Sequence, residues 1–421
     1  MHIIRIQKIC IGLFLVSLFI NSSIMAEIDT TKVQKLLGDA GDASDWFGVS
    51  VSVYDNTALV GTWPGAVYVF TRNTQGAWTQ QEKLTLPPEE GDKLGSSVSL
   101  YGNTALIGSH FDVEGSYIRH RAAYVFVRDS GGNWSQQAKL SIDDYAEGDW
   151  FGVSVSLSGD TAAIGAMGDD GTGAVYIFTR NSDGVWSQQA KLTSTNSADF
   201  DLFGIAVSLY QDTVLIGARQ NGVDGLEWAG SAYVFTRSGV TWTQQQKLTP
   251  SDEIKWGYFG NAVSVYGDTA LIGARRDQGL FTPGAAYIFV RDISGHWSEA
   301  QKLMASDAAL QDHDNFGGAV SVYGNTALIG ASQSQENSIM TGATYVFQRD
   351  NSGNWTQQKK IVAFDAAAND RFGYSVSLSK NNALTGAIED NSTGSAYCYG
   401  SKETGNFPIL YLPAILRRIH P

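Results

Sequence analysis

The clearest pattern in the chain is a short alternation of apolar and small side chains, as in residues 151–158. Phe151, Val153, Val155 and Leu157 alternate there with glycine and serine. A period of two residues predicts a β-strand whose two faces meet different surroundings. Because the second face carries small residues rather than lysine or glutamate, we expect this strand to be packed closely on both sides.

The alternation belongs to a unit that recurs seven times. A typical copy has Phe-Gly, the alternating strand, a tight Gly-Asn-Thr or Gly-Asp-Thr turn, an apolar run ending in Gly-Ala, Ala-Tyr-Val-Phe, and Trp-Ser-Gln-Gln-x-Lys-Leu. The copies begin at Phe47, Leu94, Phe151, Phe203, Phe259, Phe316 and Phe372. Each unit therefore holds four short strands, named A to D in chain order. Seven such units predict an all-β fold, a seven-bladed β-propeller with four-stranded blades.

The seventh unit lacks its outer strand. No Trp-Ser-Gln-Gln-x-Lys-Leu segment follows residues 396–399, whereas the segment 31–36 contains Gln34-Lys35-Leu36, which matches Gln81-Glu82-Lys83-Leu84 with one residue missing. We therefore predict that the N-terminal strand completes the last blade and closes the ring.

The two ends of the chain differ from the repeats. Residues 1–26 have a short basic start, a 12-residue apolar run and a small or polar stretch ending at Ala26, which predicts a secretory signal peptide. Residues 27–400 hold the propeller, and residues 401–421 form a tail with a short apolar segment. The apolar runs are too short to span a bilayer as helices, so we expect no integral span after cleavage and a secreted, periplasmic or cell-surface location.

Phe-Gly followed by Gly-Ala at this spacing, seven times over, resembles the FG-GAP repeat proteins, in particular their secreted bacterial type and the β-propeller of integrin α-subunits. The resemblance covers about residues 32–400. It implies a propeller used for adhesion or ligand binding. The integrin-type calcium loop between strands A and B is absent here, where a turn such as Tyr101-Gly-Asn-Thr104 stands instead. Integrin-like calcium binding is therefore not implied.

The strand order of a blade separates two faces of the predicted ring. The A–B and C–D turns share one face and are short and nearly identical, whereas the B–C loops and the D-to-A loops share the other face and vary widely. Variable loops on a regular scaffold are the usual place for recognition.

Aromatic residues are concentrated on this variable face. Six of the 11 Trp belong to strand D and are predicted to pack in the scaffold, and the other five lie in the variable loops. Such side chains suit stacking on sugar rings or anchoring a protein, although they could instead pack over their own loops. The ligand-binding candidates are Trp46, Trp63, Trp150, Trp228, Trp256, Phe111, Tyr117 and Arg275.

An aspartate recurs two positions before the Phe-Gly or Leu-Gly pair in six of the seven units. These carboxylates could cap backbone N–H groups of the turn or, alternatively, share a cation such as Ca²⁺, which prefers oxygen ligands. The metal candidates are Asp45, Asp92, Asp149, Asp201, Asp314 and Asp370. No other cofactor is indicated.

The composition narrows the classes of partner. A formal charge of −13 repels phosphate backbones, so a nucleic-acid partner is not expected. Two Cys cannot form a disulfide framework. No hydrolase, metalloprotease or phosphate-loop motif occurs, and His110, His120 and His313 are the histidines that fall in variable loops.

The sequence therefore predicts a monomeric recognition module that binds a glycan or an extracellular protein. The alternatives are a polysaccharide-acting hydrolase or lyase on the same scaffold, and a purely structural module of the cell envelope.

Overall fold

The computed structural model of the protein describes residues 28–39, 46–63, 65–87, 93–109, 122–195, 200–223, 226–252, 255–275, 283–308, 314–380 and 382–401. These residues form seven four-stranded antiparallel sheets, one for each repeat. The helical elements of the described ranges are two three-residue 3₁₀ turns, Asp169–Gly171 and Asp390–Ser392. None of the described helices is long and apolar enough to cross a membrane.

The strands run A, B, C, D from the centre of each blade outward. Blade 1 consists of β2 (Ser50–Tyr54), β3 (Thr57–Gly61), β4 (Val67–Arg72) and β5 (Trp78–Leu84). Blade 2 consists of β6 (Leu94–Tyr101), β7 (Thr104–Ser109), β8 (Ala123–Arg128) and β9 (Trp134–Leu140). Blade 3 consists of β10 (Phe151–Ser158), β11 (Thr161–Ala166), β12 (Ala174–Arg180) and β13 (Trp186–Leu192). Blade 4 consists of β14 (Phe203–Tyr210), β15 (Thr213–Ala218), β16 (Ser231–Ser238) and β17 (Thr241–Leu248). Blade 5 consists of β18 (Phe259–Tyr266), β19 (Thr269–Ala274), β20 (Ala285–Arg291) and β21 (Trp297–Leu303).

Blades 6 and 7 complete the ring. Blade 6 consists of β22 (Ala319–Tyr323), β23 (Thr326–Ala331), β26 (Ala343–Arg349) and β27 (Trp355–Ile361), with a small hairpin of β24 (Gln335–Glu336) and β25 (Ile339–Met340) in its B–C loop. Blade 7 consists of β28 (Phe372–Ser379), β29 (Asn382–Ala387), β30 (Ser395–Ser401) and the N-terminal strand β1 (Ile28–Leu36). The predicted seven-bladed propeller is thus confirmed.

The N-terminal strand makes the contacts that strand D makes in other blades. It pairs antiparallel with β30, from Ile28 opposite Ser401 to Leu36 opposite Ala396. The Gln34 side chain bonds both backbone groups of Trp78 in blade 1, at 2.6 and 2.8 Å. Gln246 and Gln301 do the same for Trp297 and Trp355. The predicted closure of the last blade by the N-terminal strand is confirmed.

The hydrophobic core lies between adjacent blades rather than within each one. A representative cluster joins Leu140 of blade 2 to Phe151 and Tyr176 of blade 3, and all three side chains are buried. The Phe151 and Tyr176 rings meet edge-on, with centroids 5.6 Å apart. Because each blade covers its neighbour, no blade has a complete core alone.

The small residues of strand A also bond neighbouring blades together. In every blade the hydroxyl oxygen of a strand A serine accepts a hydrogen bond from a backbone N–H in strand A of the next blade. The pairs are Ser52 with Leu100, Ser99 with Leu157, Ser156 with Leu209, Ser208 with Val265, Ser264 with Val322, Ser321 with Leu378, and Ser377 with Val53, at 2.8–3.0 Å. Since the last pair joins blade 7 to blade 1, the hydrogen bonds form a closed ring. The sequence indicated that these residues must be small, but not that they act as acceptors.

The Phe-Gly pair forms a turn that begins strand A. In blade 1 the Val49 N–H donates to the Trp46 carbonyl at 3.0 Å, and Gly48 has a φ of +94°. This geometry matches a type II turn, which needs a positive φ at its third residue. A Cβ on Gly48 would also lie 2.5 Å from the Ser395 carbonyl oxygen of blade 7. Glycine is required here for both reasons.

The turn face, which carries the A–B and C–D turns, is held by a repeated arginine. This residue lies at or next to the end of strand C, over the strand D Trp of its own blade, and bonds the first residue of strand B in the preceding blade. The pairs are Arg72 with Asn382, Arg128 with Thr57, Arg180 with Thr104, Arg237 with Thr161, Arg291 with Thr213, and Arg349 with Thr269, at 2.6–3.5 Å. In blade 7, Ser401 occupies the sequence position of this arginine. Thr326, the first residue of strand B in blade 6, is bonded instead by Gln348 of its own blade.

Candidate ligand-binding face

The loop face, which carries the B–C and D-to-A loops, has one fixed backbone position in nearly every blade. The residue just before the Phe-Gly pair has a positive φ in six blades, although none of these residues is glycine. They are Trp46 (41°), Trp150 (57°), Leu202 (58°), Tyr258 (51°), Asn315 (56°) and Arg371 (55°). A left-handed conformation costs a residue with a side chain about 1 kcal/mol or more. The turn keeps this backbone constant while the side chain differs between blades, so the chemistry of the face can change without changing the scaffold.

Two of the sequence-predicted aromatic residues form a stacked pair in blade 1. The ring centroids of Trp46 and Trp63 are 6.4 Å apart, with an interplanar angle of 27°. Trp46 is 38% exposed, and Trp63 is partly exposed. The pair joins the loop that enters blade 1 to the B–C loop of the same blade. Its exposed part is an open aromatic surface suited to stacking.

A second aromatic group lies between blades 4 and 5. Trp228, which is 44% exposed, packs at a tilt against the buried Tyr258, with ring centroids 6.1 Å apart. The Tyr258 N–H donates to the Trp228 carbonyl at 3.1 Å, so the two loops are joined by backbone as well. The Lys255 ammonium lies 5.0 Å from the Trp256 ring centroid and forms an ion pair with Glu227 at 2.9 Å. Charged groups therefore border this aromatic surface.

The other ligand-binding candidates have different surroundings. Trp150 is partly exposed, and its ring lies so close to Gly168 that a Cβ there would be 3.2 Å from it. Arg275 is partly exposed, and its buried Nε atom has no hydrogen-bond partner among the described residues. Phe111 and Tyr117 lie outside the described residues, as do His110, His120 and His313.

Four of the aspartates before the Phe-Gly pair lie in the described residues, and all four are buried in the loops that enter strand A. Asp149 accepts the Ala146 N–H at 2.6 Å, Asp370 accepts the Ala367 N–H at 2.6 Å, and Asp314 accepts the N–H groups of Phe316 and Gly284. Asp201 accepts a bond from the Asn221 side chain. These carboxylates thus serve as acceptors for loop N–H groups. Asp45 and Asp92 lie outside the described residues.

Two of these carboxyl groups have altered acidity. Burial raises the pKa of Asp149, and the nearby Asp169 and Asp170 carboxylates raise it further, whereas the Ala146 N–H lowers it. Burial also raises the pKa of Asp370, beside Asp390. In the part of the chain that the structure describes, no three His, Cys, Asp or Glu side chains come together as a group that could hold a metal ion. Cation binding at these aspartates stays a prediction.

A repeated lysine contact on the loop face was not anticipated from the sequence. The strand D lysine lies over the strand C tyrosine and reaches carboxylates in the loops. In blade 3 the Lys191 Nζ lies 2.9 Å from Asp169 and 3.1 Å from Asp144, and 5.4 Å from the Tyr176 ring centroid. Burial lowers the pKa of Lys191, but these partners raise it by more, so the net shift is upward.

The same contact recurs in other blades and fixes the loops to the sheet. Lys35 of β1 meets Asp365 at 2.6 Å and Asp390 at 2.5 Å, and Lys360 meets Asp307 at 2.7 Å. The regular Ala-Tyr and Lys-Leu motifs were a sequence signal for this pairing, because paired strands place these two residues opposite each other. The register confirms it, with Tyr345 opposite Lys360.

The FG-GAP repeat family matches the chain in seven segments, which together cover most of it. They are residues 30–70, 78–126, 134–178, 186–235, 242–289, 297–347 and 355–399. The chain belongs to the FG-GAP repeat family. Each matched segment starts in strand D of one blade and ends in strand C of the next, so the first segment of this FG-GAP protein contains β1. The family unit is thus offset from the blade by one strand, which is why the N-terminus must close the ring.

The solved structures that match the chain have very different sequences. A putative 6-phosphogluconolactonase from Bacteroides uniformis ATCC 8492 is 12% identical with a TM-score of 0.54, covering 81% of this chain and 89% of that chain. The computationally designed Ika8 protein is 13% identical with a TM-score of 0.46, covering 87% of this chain and 99% of that chain. No curated protein matches the chain. At such identities the likeness concerns the fold alone.

Proposed function

We propose that this FG-GAP propeller is a recognition module that binds carbohydrate through its loop face. The observation that carries the proposal is the pair of exposed aromatic surfaces, Trp46 with Trp63 and Trp228 with Tyr258. Flat rings with an exposed face stack on the apolar side of a sugar ring, and neighbouring charged and amide groups can bond its hydroxyls.

The positions of the two surfaces favour an extended ligand. The first lies at blade 1 and the second lies between blades 4 and 5, so they are on opposite sides of a seven-bladed ring. A chain of several sugar units could contact both surfaces, whereas a single monosaccharide could contact one. We therefore propose an oligosaccharide or polysaccharide as the ligand. The proposal includes a location outside the cytoplasm, for which the predicted signal peptide at residues 1–26 is the support.

Exposure supports a role for these side chains beyond packing. Trp46 and Trp228 are both more exposed than the scaffold tryptophans such as Trp297, and Trp228 also has a positive φ of 55° outside the constant turn before Phe-Gly. A large apolar side chain gains little by being held in such a conformation at the surface, and strained residues often mark binding sites.

The experiment is a glycan array followed by titration calorimetry with Trp46→Ala, Trp228→Ala and the double variant. Each single change should weaken binding of a selected polysaccharide about 10-fold or more, in line with loss of one stacking contact. The control is Ile293→Ala, which removes an exposed apolar side chain from the C–D turn of blade 5 on the turn face. It should leave binding unchanged.

Three results would redirect the proposal. Equal glycan binding by the wild type and the double variant would exclude the aromatic surfaces as the glycan-binding site. Shortened or unsaturated products after incubation with acidic polysaccharides would indicate the hydrolase or lyase alternative. If the propeller binds no glycan but binds a protein ligand, and Trp228→Ala weakens that binding, the loop face is a protein-binding surface.

A further inference from the structure

In blade 4 a lysine, an asparagine and an aspartate are connected in a row by hydrogen bonds. The Lys247 Nζ donates to the Asn221 Oδ1 at 2.7 Å, and the Asn221 Nδ2 donates to the Asp201 carboxylate. The Ser231 hydroxyl donates to the same Asn221 Oδ1 at 2.8 Å. Asn221 is 2% exposed and Asp201 is 3% exposed. The amide is therefore buried with an amine at its carbonyl and a carboxylate at its nitrogen.

The three residues come from three separate segments of the blade. Lys247 belongs to the outer strand β17, Asn221 to the B–C loop of blade 4, and Asp201 to the loop that enters its strand A. In blades 3 and 7 the corresponding lysines, Lys191 and Lys35, meet the carboxylates of Asp169 and Asp390. A carboxylate forms an ion pair with an ammonium group, whereas an amide is an acyl group with ammonia as its leaving group. In blade 4, Lys247 thus contacts an acyl donor.

We propose that Lys247 and Asn221 become joined by an isopeptide bond after folding. The Lys247 nitrogen, after giving a proton to Asp201, attacks the Asn221 Cγ, and a new C–N bond forms. The Ser231 hydroxyl stabilises the negative charge on Oδ1. Asp201 returns the proton to Nδ2, the Cγ–Nδ2 bond breaks, and ammonia leaves. Overall, the Lys247 ammonium group and the Asn221 side-chain amide are converted into a Lys247–Asn221 amide and a free ammonium ion. Asp201 is unchanged at the end.

The geometry supports this step. Since the Oδ1 atom is 2.7 Å from Nζ and a C=O bond is about 1.2 Å, the Asn221 Cγ lies within about 4 Å of the nucleophile. Holding two groups at such a separation replaces a slow bimolecular reaction by an intramolecular one, with effective concentrations of roughly 10⁵ M or more in well-oriented cases. Burial excludes the water that would otherwise compete for the acyl group.

The cross-link would fix the loop that carries Trp228. Asn221 begins the segment that leads to Trp228, and the Gly230 N–H donates to the Asn221 carbonyl at 2.9 Å. A covalent bond from Asn221 to β17 would anchor this loop to the outer edge of its blade. We expect the Trp228 surface to be the most rigid part of the loop face for that reason.

The experiment is tryptic mapping of the purified wild-type protein by mass spectrometry. Trypsin does not cut after an acylated lysine, so the cross-linked protein should yield a branched peptide that joins residues 220–237 to residues 238–255. Its mass should be about 17 Da below the sum of the two parts, the mass of lost ammonia. Normal cutting after Lys191 is the internal control, because its partner is a carboxylate.

The variants test the roles of the individual groups. Lys247→Arg should yield separate peptides cut after residue 247, and Asp201→Asn should reduce the branched peptide severalfold while circular dichroism shows an intact fold. Complete cutting after Lys247 in wild type would overturn the proposal. So would recovery of peptide 220–237 in linear form alone. A loss of about 17 Da from that linear peptide is not the cross-link, since the N-terminal Gln220 and the Asn221-Gly222 pair can each lose ammonia by cyclising. An undiminished branched peptide in Asp201→Asn would overturn the role of Asp201.

Discussion

The two faces of the ring are built by opposite rules. On the turn face the same contact recurs from blade to blade, as when Arg237 bonds the Asp212 carboxylate of its own blade and the Thr161 hydroxyl of the blade before. On the loop face the backbone position before Phe-Gly is kept while its side chain ranges from Trp46 to Asn315 and Arg371. Repetition on one face supplies the stability that lets the other face vary.

The difference shows which residues can be exchanged without loss of the fold. The Arg237 guanidinium lies 5.1 Å from the Trp242 ring centroid and connects two blades, so its removal affects an interface. The exposed ring of Trp228 contacts one neighbouring loop. We expect stability to depend mainly on the turn face and the blade interfaces, and ligand binding to depend on the loop face.

The largest effect should come from removing the strand that serves both faces. Deletion of residues 27–37 removes β1, whose Gln34 bonds Trp78 of blade 1 and whose Lys35 bonds the loop residues Asp365 and Asp390. The melting temperature should fall by many degrees, because blade 7 loses its outer strand and the ring is opened. Calorimetry of the deletion variant beside Lys32→Ala, which keeps the strand, measures this effect. An unchanged melting temperature would show that the closure contributes nothing to stability.

A smaller effect should come from one contact of the turn face. Arg237→Ala removes the cation–π contact with Trp242 and the Asp212 bond within blade 4, together with the Thr161 bond to blade 3, and should cost about 1–2 kcal/mol. Chemical denaturation measures the loss, and the glycan affinity of the folded variant should be that of wild type. A variant that keeps its stability but loses affinity would contradict the division between the two faces.

The smallest effect should come from a buried carboxyl of the loop face. Since the pKa of Asp149 is raised by folding, its protonated form is favoured in the folded protein. The contribution of this group to stability is therefore greatest below the pKa of the unfolded chain, about 3.9, and is lost as pH rises through the raised value. Asp149→Asn should raise stability at pH 7 by less than about 1 kcal/mol and have no effect near pH 3. Thermal melts at both pH values, with the exposed Asp143→Asn as the control, check the sign. Destabilisation at pH 7 would indicate that the charged form is needed, as a bound cation would require.

Local patterns were sufficient to predict the repeated parts of the molecule. The alternation after Phe151 predicted strand A, and Gln34-Lys35-Leu36 predicted the strand that closes blade 7, because each signal lies within a few consecutive residues. The candidate site was predicted only as a set of loop aromatics. Their pairing was not, since Trp46 stacks on Trp63 within one blade whereas Trp228 packs on Tyr258 of the next.

The sequence by itself determined the number of blades, the order of strands, the separation into two faces and the source of the last strand. Only the tertiary structure decided which side chains meet on the loop face and what the small residues of strand A do. Ser208 was recognisable from the sequence as small, but its bond to the Val265 N–H depends on the stagger of two adjacent blades. Likewise Asp201, Asn221 and Lys247 are far apart in the chain and meet because three connections end at one corner of blade 4. Periodicity is a local property of the chain, whereas contacts between non-repeating loops depend on how the blades pack.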